Sequence, residues 1–180
     1  MKKTIVALLL LVLMLMPDSA SSRKEAKGAQ AGVDKLQVLY LKTKFRNVRI
    51  NLSRLREELE RISTSMSAHE SIQSHVIKRS CVAIGGTEAI CEYMENITDG
   101  LSHVEKGKLS YYCYLQKYGV EKMKSQSDEY LHTIKEMHTQ ISNAIAMQLI
   151  DKAQMNIRSS SELINKVVET LQRCSGEVHH

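Results

Sequence analysis

The stretch VLYLKTKFRNVRINLSRLREELERISTSM, from Val38 to Met66, decides the fold class of this chain. Its apolar residues Val38, Leu41, Phe45, Val48, Leu52, Leu55, Leu59, Ile62 and Met66 alternate at spacings of three and four. That pattern puts them on one face of an α-helix for about four heptads. Burying each side chain is worth about 1.5–3 kcal/mol, so a soluble protein does not leave such a stripe in water. The helix needs a partner, and the run from Tyr130 to Leu171 is the expected one. Its apolar positions Ile134, Met137, Ile141, Ile145, Leu149, Ala153 and Ile157 drift towards a spacing of four, which suits a bundle helix better than a long heptad coiled coil.

Working outward to the N-terminus, Lys2 and Lys3 precede an apolar run from Ile5 to Met16, followed by Pro17 and the small residues Ser19, Ala20, Ser21 and Ser22. This reads as a secretory signal peptide over residues 1–21, cleaved after Ser21. The apolar run is too short for a stable anchor, and no later stretch approaches the ~20 apolar residues of a membrane helix. The expected location is therefore secreted and extracellular, without a transmembrane anchor. Residues 22–32, with Gly28 and Gly32, read as a flexible arm, 33–174 as one helical bundle domain and 175–180 as a flexible tail.

Pro17 is the only proline, tryptophan is absent and Phe45 is the only phenylalanine, so the mature chain reads as all-α. The expectation is an elongated bundle of two long helices, about 33–66 and 128–158, with several short helices. Gly85 and Gly86 mark the strongest break, and Gly100 and Gly119 the ends of two short helices. Ser67 with Glu70, and Ser159 with Glu162, have the form of capping boxes that start new helices. If the two long helices run the same way and each short helix folds back, Cys81 and Cys174 end at the same level.

The four cysteines of an exported chain are expected to form two disulfides. Matched fold-back favours Cys81 with Cys174, and Cys91 with Cys113 would tie two short helices across the turn from Gly100 to Gly107. The rival scheme joins Cys81 to Cys91 across the glycine pair and leaves Cys113 for Cys174.

Function is less legible. The net charge of +5 is concentrated in the first long helix, where Lys42, Lys44, Arg46, Arg49, Arg54 and Arg56 offer a basic rod to a partner or simply a solvated face. Among the tyrosines, Tyr111, Leu115 and Tyr118 would share a face packed on the bundle, whereas Tyr112 and Tyr114 would point elsewhere and could contact a partner. The sequons at Asn51 and Asn96 are candidate glycan sites.

His69 and His75, like His132 and His138, are six apart and share no face as a ligand pair would, so no metal site is expected. No serine stands in a G-x-S-x-G elbow, and no catalytic residues, cofactor or nucleic-acid partner are indicated. The reading is a secreted, non-enzymatic protein that binds an extracellular partner, either a protein receptor or an anionic glycan surface. Cytokine-like signals and venom or salivary effectors are built this way, and the stripe also leaves room for a homodimer. The alternative is a carrier enclosing a small hydrophobic ligand, which would need an apolar cavity of several hundred Å³.

Overall fold

Four helices of similar length run through the computed structural model, which describes residues 33–175. They are α1 (Lys35–Ser65), α2 (Ser71–His103), α3 (Leu109–His138) and α4 (Ala144–Ser175), with single 3-10 turns at Ala68–Glu70 and Lys106–Lys108. No strand occurs among the described residues. The signal peptide and arm expected over residues 1–32, and the tail after Ser175, lie outside them.

Short connections make neighbouring helices antiparallel. The α1 helix packs on α2 and α4, α3 packs on the same two, and α2 meets α4 across the diagonal. This is an up-down-up-down four-helix bundle, each helix about 45–50 Å long at 1.5 Å per residue.

The α1 helix begins where the Asp34 side chain accepts the Leu36 N–H at 2.9 Å. Val38, Leu41, Phe45, Val48, Leu52 and Leu59 are buried, and Leu55, Ile62 and Met66 pack half-buried against the same core. The chain leaves the helix in extended conformation at Met66. Glu70 then receives both the N–H and the hydroxyl of Ser67 at 3.0 Å, and these bonds hold its carboxyl below the ordinary range. The capping pattern at Ser67 therefore does open the next helix.

That helix is not short. It continues through Cys81, Gly85 and Gly86 to His103, and α3 likewise continues through Gly119. Three of the glycines receive the end of a neighbouring tyrosine side chain against the helix backbone. A Cβ at Gly86 would stand under 3 Å from the tip of the Tyr130 ring, one at Gly100 would meet the Tyr112 hydroxyl, and one at Gly119 would meet the Tyr93 hydroxyl. Each glycine costs a helix about 1 kcal/mol against alanine, which burial of a tyrosine ring offsets. Gly85 has a milder neighbour, the Arg56 Cδ at 3.7 Å.

The long helix expected over 128–158 is instead divided at residues 139–143. Asn143 caps α4 by accepting the Ala146 N–H at 3.0 Å. Gln73 of α2 reaches across to donate to the Gln140 carbonyl and accept from the Ser142 N–H, both at 2.9 Å. The interruption expected at 158–161 does not occur, since α4 runs unbroken through it. The partner of the α1 stripe is accordingly α2 together with α4.

All four cysteines are buried free thiols. The Cys81–Cys174 and Cys91–Cys113 pairs are not formed, and register explains why. Cys174 lies in the last turn of α4, at the end of the bundle where α2 finishes, about 30 Å by helical rise from Cys81. Cys91 and Cys113 are offset along the bundle by about 12 Å, twice a disulfide's reach. Because α2 is continuous, Cys81 and Cys91 are also about 15 Å apart.

Candidate interaction surface

Four of the six basic residues turn towards carboxylates of α2. Lys42 pairs with Asp99, Arg46 and Arg49 approach Glu95 at 3.4 and 2.7 Å, and Arg56 approaches Glu88 at 2.7 Å and Glu60 at 3.1 Å. As the α1 number rises from Lys42 to Arg56 the α2 number falls from Asp99 to Glu88, the register of an antiparallel pair. Glu95 is only 7 % exposed, so it needs the two guanidinium groups. Its hydrogen bond raises the pKa of Arg49, and Glu88 does the same for Arg56. Carboxylates at Glu88, Glu92, Glu95 and Asp99, spaced by three and four, were the signal in the sequence that could have located these partners.

Lys44 and Arg54 keep exposed side chains. The Lys44 ammonium stands 5.3 Å from the centroid of the Tyr40 ring, a cation–π contact. Two of the six basic residues therefore remain available to a partner without dismantling the α1–α2 seam.

The tyrosine group divides differently from the expectation. Tyr112 turns towards α2, lies half-buried over Gly100 and donates to the Ile97 carbonyl at 3.2 Å, and burial raises its phenol pKa. Tyr111, Leu115 and Tyr118, expected to pack on the bundle, face outward with Tyr114. Their exposures are 64 % for Tyr111, 65 % for Tyr114, 52 % for Leu115 and 78 % for Tyr118.

The inner face of α3 is already filled by Cys113 and Val120, both fully buried. The spacing of 111, 114, 115 and 118 consequently makes a second, outward apolar face about 10 Å long. Lys108 and Lys122 extend it at either end, and Glu121 and Lys124 stand exposed beside it. Lys108 is paired with Glu105 at 2.8 Å. A smaller exposed group, Leu36, Leu39 and Tyr40, opens α1, while Ile72, Val82, Ile145 and Met155 are scattered singly.

Both sequon asparagines have exposed side chains. Asn51 reaches over to Asn156 of α4 at 3.4 Å. Asn96 stands on the outer face of α2, between the carboxylates that meet α1 and the glycines that receive the tyrosines of α3.

Two clefts formed by described residues lie near the α1–α2 turn, and both are open to solvent. One, of about 470 Å³, is lined chiefly by polar groups, among them Ser63, Ser67, Ser74, His75 and Lys78. The other, of about 310 Å³, lies between Glu57, Glu60, Arg61 and Thr64. His132 stands 3.2 Å from Glu136 on an exposed helix face, and no cluster of three metal-ligating side chains occurs among the described residues. No helix among them is long and apolar enough to cross a membrane.

No family model, curated protein or solved structure matches this chain.

Proposed function

We propose that this is an exported, non-enzymatic helical bundle that binds an extracellular protein through the outward face of α3. The observation that carries the reading is the set Tyr111, Tyr114, Leu115 and Tyr118, four large side chains more than half exposed on adjacent turns. Tyrosine offers a broad apolar body and a polar tip at a low cost in conformational entropy, which is why it concentrates at protein interfaces. Lys122 and Lys124 at one end of this face, offset in part by Glu121, favour a partner with an apolar centre and an acidic rim.

The sequons support the same choice. Glycans at Asn51 and Asn96 would cover the α1–α4 groove and the outer side of α2, and neither sequon lies on α3. Export rests on the N-terminal signal pattern, and secretion from a eukaryotic host should yield a chain beginning at Ser22. The carrier reading gains nothing from the clefts described, both of which are open to solvent instead of enclosed.

The test is binding of the labelled protein to an array of extracellular receptor domains. Tyr111→Ser with Tyr118→Ser should abolish a hit, or weaken it at least tenfold, while helicity and Tm stay unchanged. Lys44→Gln with Arg54→Gln should leave that hit within about threefold. The opposite pattern, with retention on heparin that falls steeply with salt and ignores the tyrosines, would replace the protein partner by an anionic glycan.

A further inference from the structure

Four buried thiols in one bundle are not equivalent. Two cysteines of the bundle stand 4.0 Å apart. They are Cys113 and Cys174, because Cys174 is the titrating side chain that acts on the Cys113 thiol, and Cys81 and Cys91 have other neighbours. The topology explains the meeting, since Cys113 is in the second turn of α3, Cys174 is in the last turn of α4, and the two helices are antiparallel neighbours. Cys81 and Cys91 instead face α1. The Cys81 thiol approaches the Arg56 carbonyl at 3.9 Å, Cys91 lies among Glu95, Arg49 and Glu88, and α1 contains no cysteine.

We propose that Cys113 and Cys174 form the single intramolecular disulfide of this protein and that Cys81 and Cys91 remain thiols. The inference rests on the export reading only for its oxidant, a small-molecule disulfide of the glutathione class. One cysteine thiolate attacks that disulfide, giving a mixed disulfide and releasing one reagent thiol. The second cysteine then attacks the protein sulfur, closing the Cys113–Cys174 bond and releasing the other reagent thiol. One S–S bond breaks, one forms, and the two cysteine protons leave on the two released thiols.

Burial sets the order of events. It pushes the Cys113 thiol up to about 12, so the closed bundle holds almost no Cys113 thiolate at neutral pH and the bond closes while α3 and α4 dock. Burial likewise pushes Cys81 up to about 11 and Cys91 up to about 12, leaving thiolate fractions of roughly one in ten thousand or less. Two thiols can thus persist in an oxidising compartment without exchange. The disulfide would tie down the start of α3, the segment that carries Tyr111 and Tyr114.

The experiment is to unfold the protein under reducing conditions, refold it in a glutathione redox buffer, and map its peptides without reduction. The expected result is a Cys113–Cys174 linked peptide, with Cys81 and Cys91 alkylated only after denaturation. The link should persist in Cys81→Ser and in Cys91→Ser. Reduction should lower Tm by about 10 °C, the size expected for closing a loop of this length. Four alkylated cysteines, or any linked peptide containing Cys81 or Cys91, would overturn the proposal. Because the oxidant is supplied in the buffer, either result is independent of whether the chain is exported, which the mature N-terminus reports separately.

Discussion

The two long seams that flank α2 are built on opposite principles. Towards α1 the helix presents Glu88, Glu95 and Asp99, which meet Arg56, Arg49 and Lys42 in antiparallel order. Towards α3 it presents Gly86 and Gly100, on which Tyr130 and Tyr112 lie, and it sends Tyr93 onto Gly119 in return. The first seam is set by charge and tolerates adjustment, because long side chains re-aim and water shares the load. The second is set by shape and tolerates less, because an added Cβ would stand under 3 Å from a half-buried tyrosine that must then move.

The largest expected effect comes from filling a glycine. Gly86→Val places a branched side chain in the volume of the Tyr130 ring, and should lower the unfolding free energy in urea by about 2–3 kcal/mol. Adding Tyr130→Ala should return part of that loss, the non-additivity expected of touching residues. Gly107→Ala, where no atom lies within 4 Å of the new Cβ, should change stability by less than about 0.5 kcal/mol. Equal effects at Gly86 and Gly107 would dissolve the contrast between the seams.

A smaller loss should follow from Glu95→Ala on the charged seam. The carboxylate is buried, but Arg49 is 36 % and Arg46 56 % exposed, so both guanidinium groups recover water when it is removed. The expected cost is about 1–2 kcal/mol, below that of a fully buried pair. Raising the salt concentration should narrow the gap between parent and variant, whereas it should leave the Gly86→Val deficit unchanged.

The smallest effect is at the solvent edge of the same seam. The hydrogen bond from Lys42 holds the Asp99 carboxyl below the ordinary carboxylate range. A depressed folded pKa gives stability that is present above the unfolded value, about 4, and lost as pH falls through the folded one. The difference between parent and Asp99→Asn, measured by urea titration, should therefore be present at neutral pH and close below about pH 4.

Fold class and the first helix were legible because spacings of three and four from Val38 to Met66 have one simple solution. The connections were not. Gly85, Gly86, Gly100 and Gly119 read as breaks because a glycine carries no mark of the ring that will lie on it, and that ring belongs to a residue far along the chain. The turn at 139–143 stayed hidden for the reverse reason. Ile134, Met137, Ile141 and Ile145 keep a helical spacing across it, yet Ile141 is buried within the turn while Ile145 faces solvent.

The candidate surface was half legible. Tyr114 points outward as its position suggested, but Tyr111, Leu115 and Tyr118 could be placed only once Cys113 and Val120 were seen to occupy the inner side of α3. The basic rod misled because charge on one helix is read as available until its complement on another is aligned with it. Here α2 supplies that complement.

The tyrosines of the shape-built seam point both ways across it, Tyr93 from α2 into α3, and Tyr112 and Tyr130 from α3 into α2. Opposed insertions of this kind act as keys cut from both sides. A slide of α3 past α2 by one helical turn, about 5.4 Å, would drive each ring onto a side chain in place of a glycine, whichever direction was taken. Sliding is thereby closed to this pair as a means of conveying a signal. If α3 receives a partner as proposed, the accommodation falls to the partner's side of the contact.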